Sequence, residues 1–104
     1  MDVRFFDVSV EKFVNTLERE AFAKVLRAVT ILGKYGNNIS MPWSKPLQSG
    51  VFELRIRGKQ EVRILYVFHN GAAVLLHGFI KKTFFVPRKE IVVALSRKAS
   101  FDNL

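Results

Sequence analysis

The chemistry-bearing residues of this sequence are cations set inside apolar, strand-like runs. Arg55 and Arg57 stand in Phe52-Glu53-Leu54-Arg55-Ile56-Arg57, Arg63 opens Arg63-Ile64-Leu65-Tyr66, and Lys81 and Lys82 close Leu75-Leu76-His77-Gly78-Phe79-Ile80-Lys81-Lys82. A charge in the middle of an apolar strand is costly unless it meets solvent, a partner or a ligand. Three such runs in succession point to a surface that holds something anionic. A phosphodiester suits it, because the planar arginine fork matches two phosphate oxygens. RNA also brings its own nucleophile, the 2′-hydroxyl. Cleavage by transphosphorylation needs that hydroxyl deprotonated, charge stabilised on the phosphorane, and a proton for the leaving 5′-oxygen. Clustered arginines and lysines supply the second as preorganised electrostatics. A lysine crowded by like charges has a lowered pKa and can move protons. No metal and no cofactor is needed. The same cluster without catalytic geometry would only bind phosphate, and charge pattern does not separate the two.

Other chemistries find little support. The chain has no Cys, so thiolate metal sites and disulfides are excluded. His69 and His77 are two isolated histidines and make no metal site alone. His77 could serve as a general base, although in an apolar strand a structural histidine is the commoner case. There is no Gly-rich phosphate loop and no Ser nucleophile elbow. Glu53 and Glu61 read as isolated carboxylates.

The 104 residues predict one domain, 1–104. Of the net charge of +8, residues 1–50 carry a surplus of two (7 cations, 5 anions) and residues 51–104 a surplus of six (10 and 4). Nucleic acid is the commonest partner of such a surface, since phosphate neutralisation releases counterions. The sequence has neither a signal peptide nor an apolar run of the roughly 20 residues a bilayer requires. A cytoplasmic location, away from membranes, is the expectation.

Several elements must position the cations. Val3 to Val8 predicts an opening strand, with Ser9 as the cap of a first helix. Val10, Phe13, Val14 and Leu17 fall at i, i+3, i+4, i+7, and Phe22, Val25, Leu26, Val29 and Leu32 continue in a second helix. The break falls near Leu17–Glu20, and Gly33–Gly36 ends the second helix. Residues 37–50, with Pro42, Pro46 and Gly50, predict an irregular connector that Trp43 anchors by packing. Strands follow at 51–57, 61–69 and 72–80. Asn70-Gly71 predicts a two-residue type I′ hairpin, pairing His69 with Ala72 and, counted inward, Arg63 with Gly78. A last helix starts near Pro87 and runs towards Lys98, with Asp102-Asn103-Leu104 fraying. The expected fold is α+β in the order β-α-α-β-β-β-α: a small antiparallel sheet, two N-terminal helices and a short C-terminal helix.

The face of each cation depends on the connection after Arg57. An odd loop puts Arg55 and Arg63 on one face and a two-residue loop puts them on opposite faces. With the odd loop, Glu53, Arg55, Arg57, Arg63, Gly78 and Lys82 share a face, and Gly78 leaves room beside Arg63. Phe52, Leu54, Ile56, Val62, Ile64, Tyr66 and Phe68 then form the core face. Leu65, Val67, Val74 and Leu76 share the cationic side and need cover from the last helix. An exposed Arg63 contributes little stability, so Arg63→Ala should leave the fold intact.

Glu53-Leu54-Arg55, Arg63-Ile64-Leu65-Tyr66, Leu76-His77-Gly78-Phe79-Ile80-Lys81-Lys82-Thr83, and Pro87 with Glu90-Ile91 resemble the RelE/HigB toxin superfamily, nearest its phage-derived HigB-like branch. Met41-Pro42, Lys45-Pro46-Leu47 and the two helices also fit. The resemblance implies a microbial-RNase-like fold and a type II toxin: a ribosome-dependent endoribonuclease (mRNA interferase) cutting translated mRNA in the ribosomal A site. It implies a cognate helix-turn-helix, HigA-like antitoxin. By motif it assigns Arg55, Arg63, Lys81 and Lys82 to the catalytic set, with Arg57 and Lys59 in the basic loop region as candidates for substrate or ribosomal RNA contact; His77 and Arg88 are further candidates for RNA contact. Some relatives carry a C-terminal Tyr acting on the 2′-hydroxyl, and no Tyr follows Lys82 here. That departure supports the alternative, a non-catalytic basic RNA- or ribosome-binding module. The apolar Phe84-Phe85-Val86 either packs on the sheet or docks the antitoxin.

Overall fold

The computed structural model describes residues 1–102. Asn103 and Leu104, part of the expected frayed end, lie outside them. The chain forms β1 (Asp2–Phe5), α1 (Val8–Asn15), α2 (Arg19–Tyr35), a 3-10 turn (Gly36–Asn38), β2 (Ser44–Gln48), β3 (Val51–Ile56), β4 (Val62–His69), β5 (Ala72–Ile80) and α3 (Arg88–Asp102). The class is α+β, as expected. The five strands lie in the order β1-β5-β4-β3-β2. The pairs from β2 to β5 are antiparallel, and β1 joins β5 in parallel at one edge.

Local chemistry explains most boundaries. The cap of α1 is Asp7, not Ser9: its carboxylate accepts from the Ser9 N–H at 2.9 Å. The opening strand therefore stops at Phe5, and Val8 begins the helix. Ser9 sits two residues past the cap, inside the first turn. The strand β2 occupies the expected connector. It is an edge strand, where a proline such as Pro46 is tolerated because one side of the backbone has no ladder partner. Ser49-Gly50 closes its hairpin with β3, with Ser49 at φ 52° and Gly50 at φ 79°. Asn70-Gly71 turns with both φ values positive (48° and 75°), pairing His69 with Ala72 as expected.

Two cores flank the sheet. Val10, Val14, Leu17, Ala21, Val25, Ala28 and Leu32 of the N-terminal helices pack on Leu54, Ile56, Val62, Ile64, Tyr66, Ala73 and Leu75. On the opposite face Val51, Leu65, Val67, Val74, Leu76 and Phe79 pack with Ala94 of α3. The last helix thus covers the apolar residues that share the cationic side. Trp43 is partly buried against the first core, with the Arg27 guanidinium 5.7 Å from its ring centre. No helix among the described residues is long and apolar enough to cross a membrane.

One irregularity decides what faces where. β4 and β5 pair Tyr66 with Leu75 but Leu65 with His77, so Leu76 is an extra residue in β5. Such a bulge leaves one residue unpaired and shifts the alternation beyond it. The unpaired Leu76 carbonyl accepts instead from Arg97 of α3 at 2.6 Å. Past the bulge, Gly78 opposes Ile64 and Arg63 opposes Phe79, correcting the expected Arg63–Gly78 pair. Gly78 leaves no room for Arg63. A Cβ there would stand 2.4 Å from Phe13 of α1, so the missing side chain makes space for that ring.

A cationic cleft as the candidate active site

The pairing of β3 with β4 places Arg55 directly opposite Arg63. The connection is odd, and both arginines lie on the α3 side of the sheet. Beside the first turn of α3, which contributes Ile91 to its lining, this face opens into a cleft of about 680 Å³. Four neighbouring strand positions feed it: Lys45 from β2, Arg55 with Glu53 from β3, Arg63 from β4, and Lys81 just past β5. The loops add Arg57, Glu61, Thr83, Phe84, Phe85 and Val86. Five cations against the carboxylates Glu53 and Glu61 leave a formal charge of +3 (5 − 2) over the cleft.

Arg63 forms the floor. It is 2% exposed, and its Nη1 donates to the Val62 carbonyl at 2.9 Å. Its Nη2 donates to Glu61 Oε1 at 3.0 Å. The Glu53 carboxylate, 1% exposed, lies between the two arginines, 3.2 Å from Arg63 Nε and 3.3 Å from Arg55 Nε. Neither Nε–H is aimed at the oxygen, so these contacts are ion pairs without hydrogen-bond alignment. Glu53 and Glu61 are thus not isolated: both grip one guanidinium. The expectation of an exposed Arg63 is also corrected. Its alternation on β4 turns it beneath the loop residues, and its removal would strand a buried carboxylate.

The walls differ. Arg57 is largely exposed and pairs with Glu61 at 2.9 Å. Burial works to raise the Glu61 pKa, but the Gly58 N–H, Arg63 and Arg57 outweigh it and hold the carboxyl below its ordinary value. Lys81 is half-buried, and its backbone N–H continues the ladder to the Glu61 carbonyl at 2.7 Å. Burial, then the charge of Arg63, pushes its pKa below the ordinary lysine value, with Arg55 and Lys45 adding and Glu53 opposing. Such an ammonium loses its proton more readily than a solvated lysine.

The expected site residues divide. Arg55, Arg57, Arg63 and Lys81 meet in the cleft. Lys82 is exposed and is not among the cleft-lining residues, because the bulge gives odd-numbered residues the cleft side and turns the next one out. Lys59 borders a small hollow beside α2 with Glu18, Glu20 and Lys24. His77 faces α3 and pairs through Nε2 with Glu90 at 3.1 Å. Arg88 is exposed at the first residue of α3. Sequence reasoning left out Lys45 as a site residue, although Ser49-Gly50 is a turn signal that could have revealed its hairpin. Arg55 and Arg57 also border a hollow with Lys24, Arg27 and Trp43, so positive surface continues around the C-terminal end of β3. Among the described residues no cluster of metal-ligating side chains forms.

Comparison with known proteins agrees with this architecture. No curated protein sequence matches the chain. A chain of the toxin–antitoxin complex RelBE2 from Mycobacterium tuberculosis shares the fold, with a TM-score of 0.50 at 20% identity, over 79% of this chain and 92% of that one. The family described as "Phage derived protein Gp49-like (DUF891)" matches residues 12–99. The chain therefore belongs to the phage-derived Gp49-like family and has the RelE fold, as the motif resemblance implied.

Proposed function

We propose that this protein is the toxin of a type II toxin–antitoxin system and a metal-independent endoribonuclease that cuts translated mRNA on the ribosome, restrained by a cognate antitoxin. One observation carries the reading: four adjacent strand positions each send a cation into one cleft, and one of them, Lys81, has a depressed pKa. In the proposed reaction the scissile phosphate sits over Arg63. Arg55 forks onto the non-bridging oxygens and stabilises the charge that grows on them. Lys81, once its ammonium has given up a proton, takes the proton of the 2′-hydroxyl. The 2′-oxygen bonds to phosphorus, the bond to the 5′-oxygen breaks, and the departing oxygen takes its proton from the ammonium of Lys45 on the opposite flank. The products are a 2′,3′-cyclic phosphate and a 5′-hydroxyl. Arg63 is a positioning residue here: it orients Glu53 and Glu61 and sets the field from below. Arg57 binds a flanking phosphate. Among the described residues no tyrosine lines the cleft, which is why the proton transfer is given to lysine.

The test adds the purified protein to a translation reaction and maps message ends. Cleavage that appears in the parent and is lost in Arg55→Ala supports the reading. Tight binding of RNA with no cut ends would leave the alternative of a non-catalytic RNA- or ribosome-binding module.

A further inference from the structure

Two aromatic rings stand at the mouth of the cleft with nothing over them. Phe84 is 86% exposed and Phe85 77% exposed. Their ring centres are 5.0 Å apart at 85°, so each presents a flat face in a different direction. Neither packs on the sheet, although Val86 beside them joins the second core. The segment is anchored before it by Lys81 and after it by Val86, and is braced internally. Thr83 Oγ1 donates to the Phe85 carbonyl at 2.6 Å, and the Lys81 N–H is tied to Glu61. Contiguous exposed apolar surface rimmed by polar residues marks an interaction site.

We propose that Phe84 and Phe85 form a stacking subsite for unpaired bases of a single-stranded RNA whose phosphates lie along the adjacent cationic cleft. The proposal rests on the endoribonuclease reading and names how that site grips its substrate. A purely apolar partner would have no use for a flank of +3, whereas a single strand offers both phosphates and exposed π-faces. Flat faces of this kind accept every base, so the subsite strengthens binding next to the scissile linkage without reading sequence.

The experiment measures binding of a short single-stranded RNA made uncleavable by 2′-O-methylation, and of the same strand with abasic residues. The double variant Phe84→Leu, Phe85→Leu keeps the apolar volume and removes the flat faces. It should bind the base-bearing strand about a hundredfold more weakly, about tenfold per ring. The abasic strand should bind parent and variant alike. Phe84→Trp, Phe85→Trp should bind the base-bearing strand at least as tightly as the parent, and serves also if the leucine variant fails to fold. Equal affinity of the parent and the leucine variant for the base-bearing strand overturns the proposal. So does an equal loss on the abasic strand, or a variant whose only defect is loss of association with an antitoxin. Message cutting is scored separately. A parent that binds in a base-dependent way but never cuts would remove the nuclease and leave the stacking subsite standing.

Discussion

One face of the sheet has two halves with opposite physics. Under α3, Val51, Leu65, Val67, Val74 and Leu76 are buried against Ala94 and make an ordinary apolar core. Two to four residues further along β3 and β4, Glu53, Arg55 and Arg63 line the cleft instead. The apolar half gains by excluding water. The ionic half needs its charges arranged, because a buried ion costs several kcal/mol unless partners compensate. Glu53 between two arginines and Glu61 beside Arg63 are that compensation. The contrast shows how a small domain keeps cations next to its core: Glu53 and Glu61 partner Arg63 in the floor, Glu61 reaches Arg57 as well, and the cleft as a whole still keeps its positive excess.

Breaking the floor should cost most. Arg63→Ala leaves the Glu53 carboxylate buried beside Arg55 alone, and chemical denaturation should show a loss of about 3–5 kcal/mol. Adding Glu53→Leu should recover most of it, since the stranded charge is gone. On the helical face, Gly78→Ala drives a methyl into Phe13. It should lower stability by about 1–3 kcal/mol and leave RNA affinity unchanged, which separates fold from site.

Titration sharpens the comparison between floor and rim. Glu61 is held below its ordinary value of 4.5, so its ion pairs stabilise the fold in full above that value. The stability margin of the parent over Glu61→Gln should therefore vanish as the pH falls through the folded-state value. Lys81 works in the other sense. Its folded pKa lies below 10.5, so its protonated form costs stability at neutral pH. Lys81→Met should be the more stable protein there, and the gap should close as the pH rises towards 10.5. The smallest effect belongs to Lys82→Ala, an exposed lysine outside the cleft. It should shift stability by less than about 0.5 kcal/mol.

Much of this architecture was legible in the residues. The helical stripes, the Asn70-Gly71 turn and the alternation in β3 and β4 follow from local rules and periodicity. Two features were not. Pro46 and Lys45 hide β2, because an edge strand need satisfy only one side of its backbone. The bulge at Leu76 has no local signature, since it is stabilised by Arg97 from a helix twenty-one residues on. Both errors bear on the site. The first hid Lys45, and the second put Lys82 rather than Lys81 on the cationic face and misplaced Gly78. The burial of Arg63 was equally invisible, because it depends on Glu53 of the neighbouring strand and on Glu61 folding back over it from the preceding loop.

The most direct test of converging cations compares neighbours that differ only in where the bulge points them. Parent, Lys81→Met and Lys82→Met should be added at equal concentration to a translation reaction and message ends mapped. The parent and Lys82→Met should give the same cuts, and Lys81→Met a rate lowered about 10²–10⁴-fold. Cutting by Lys81→Met at the parental rate, or a loss confined to Lys82→Met, would contradict that convergence.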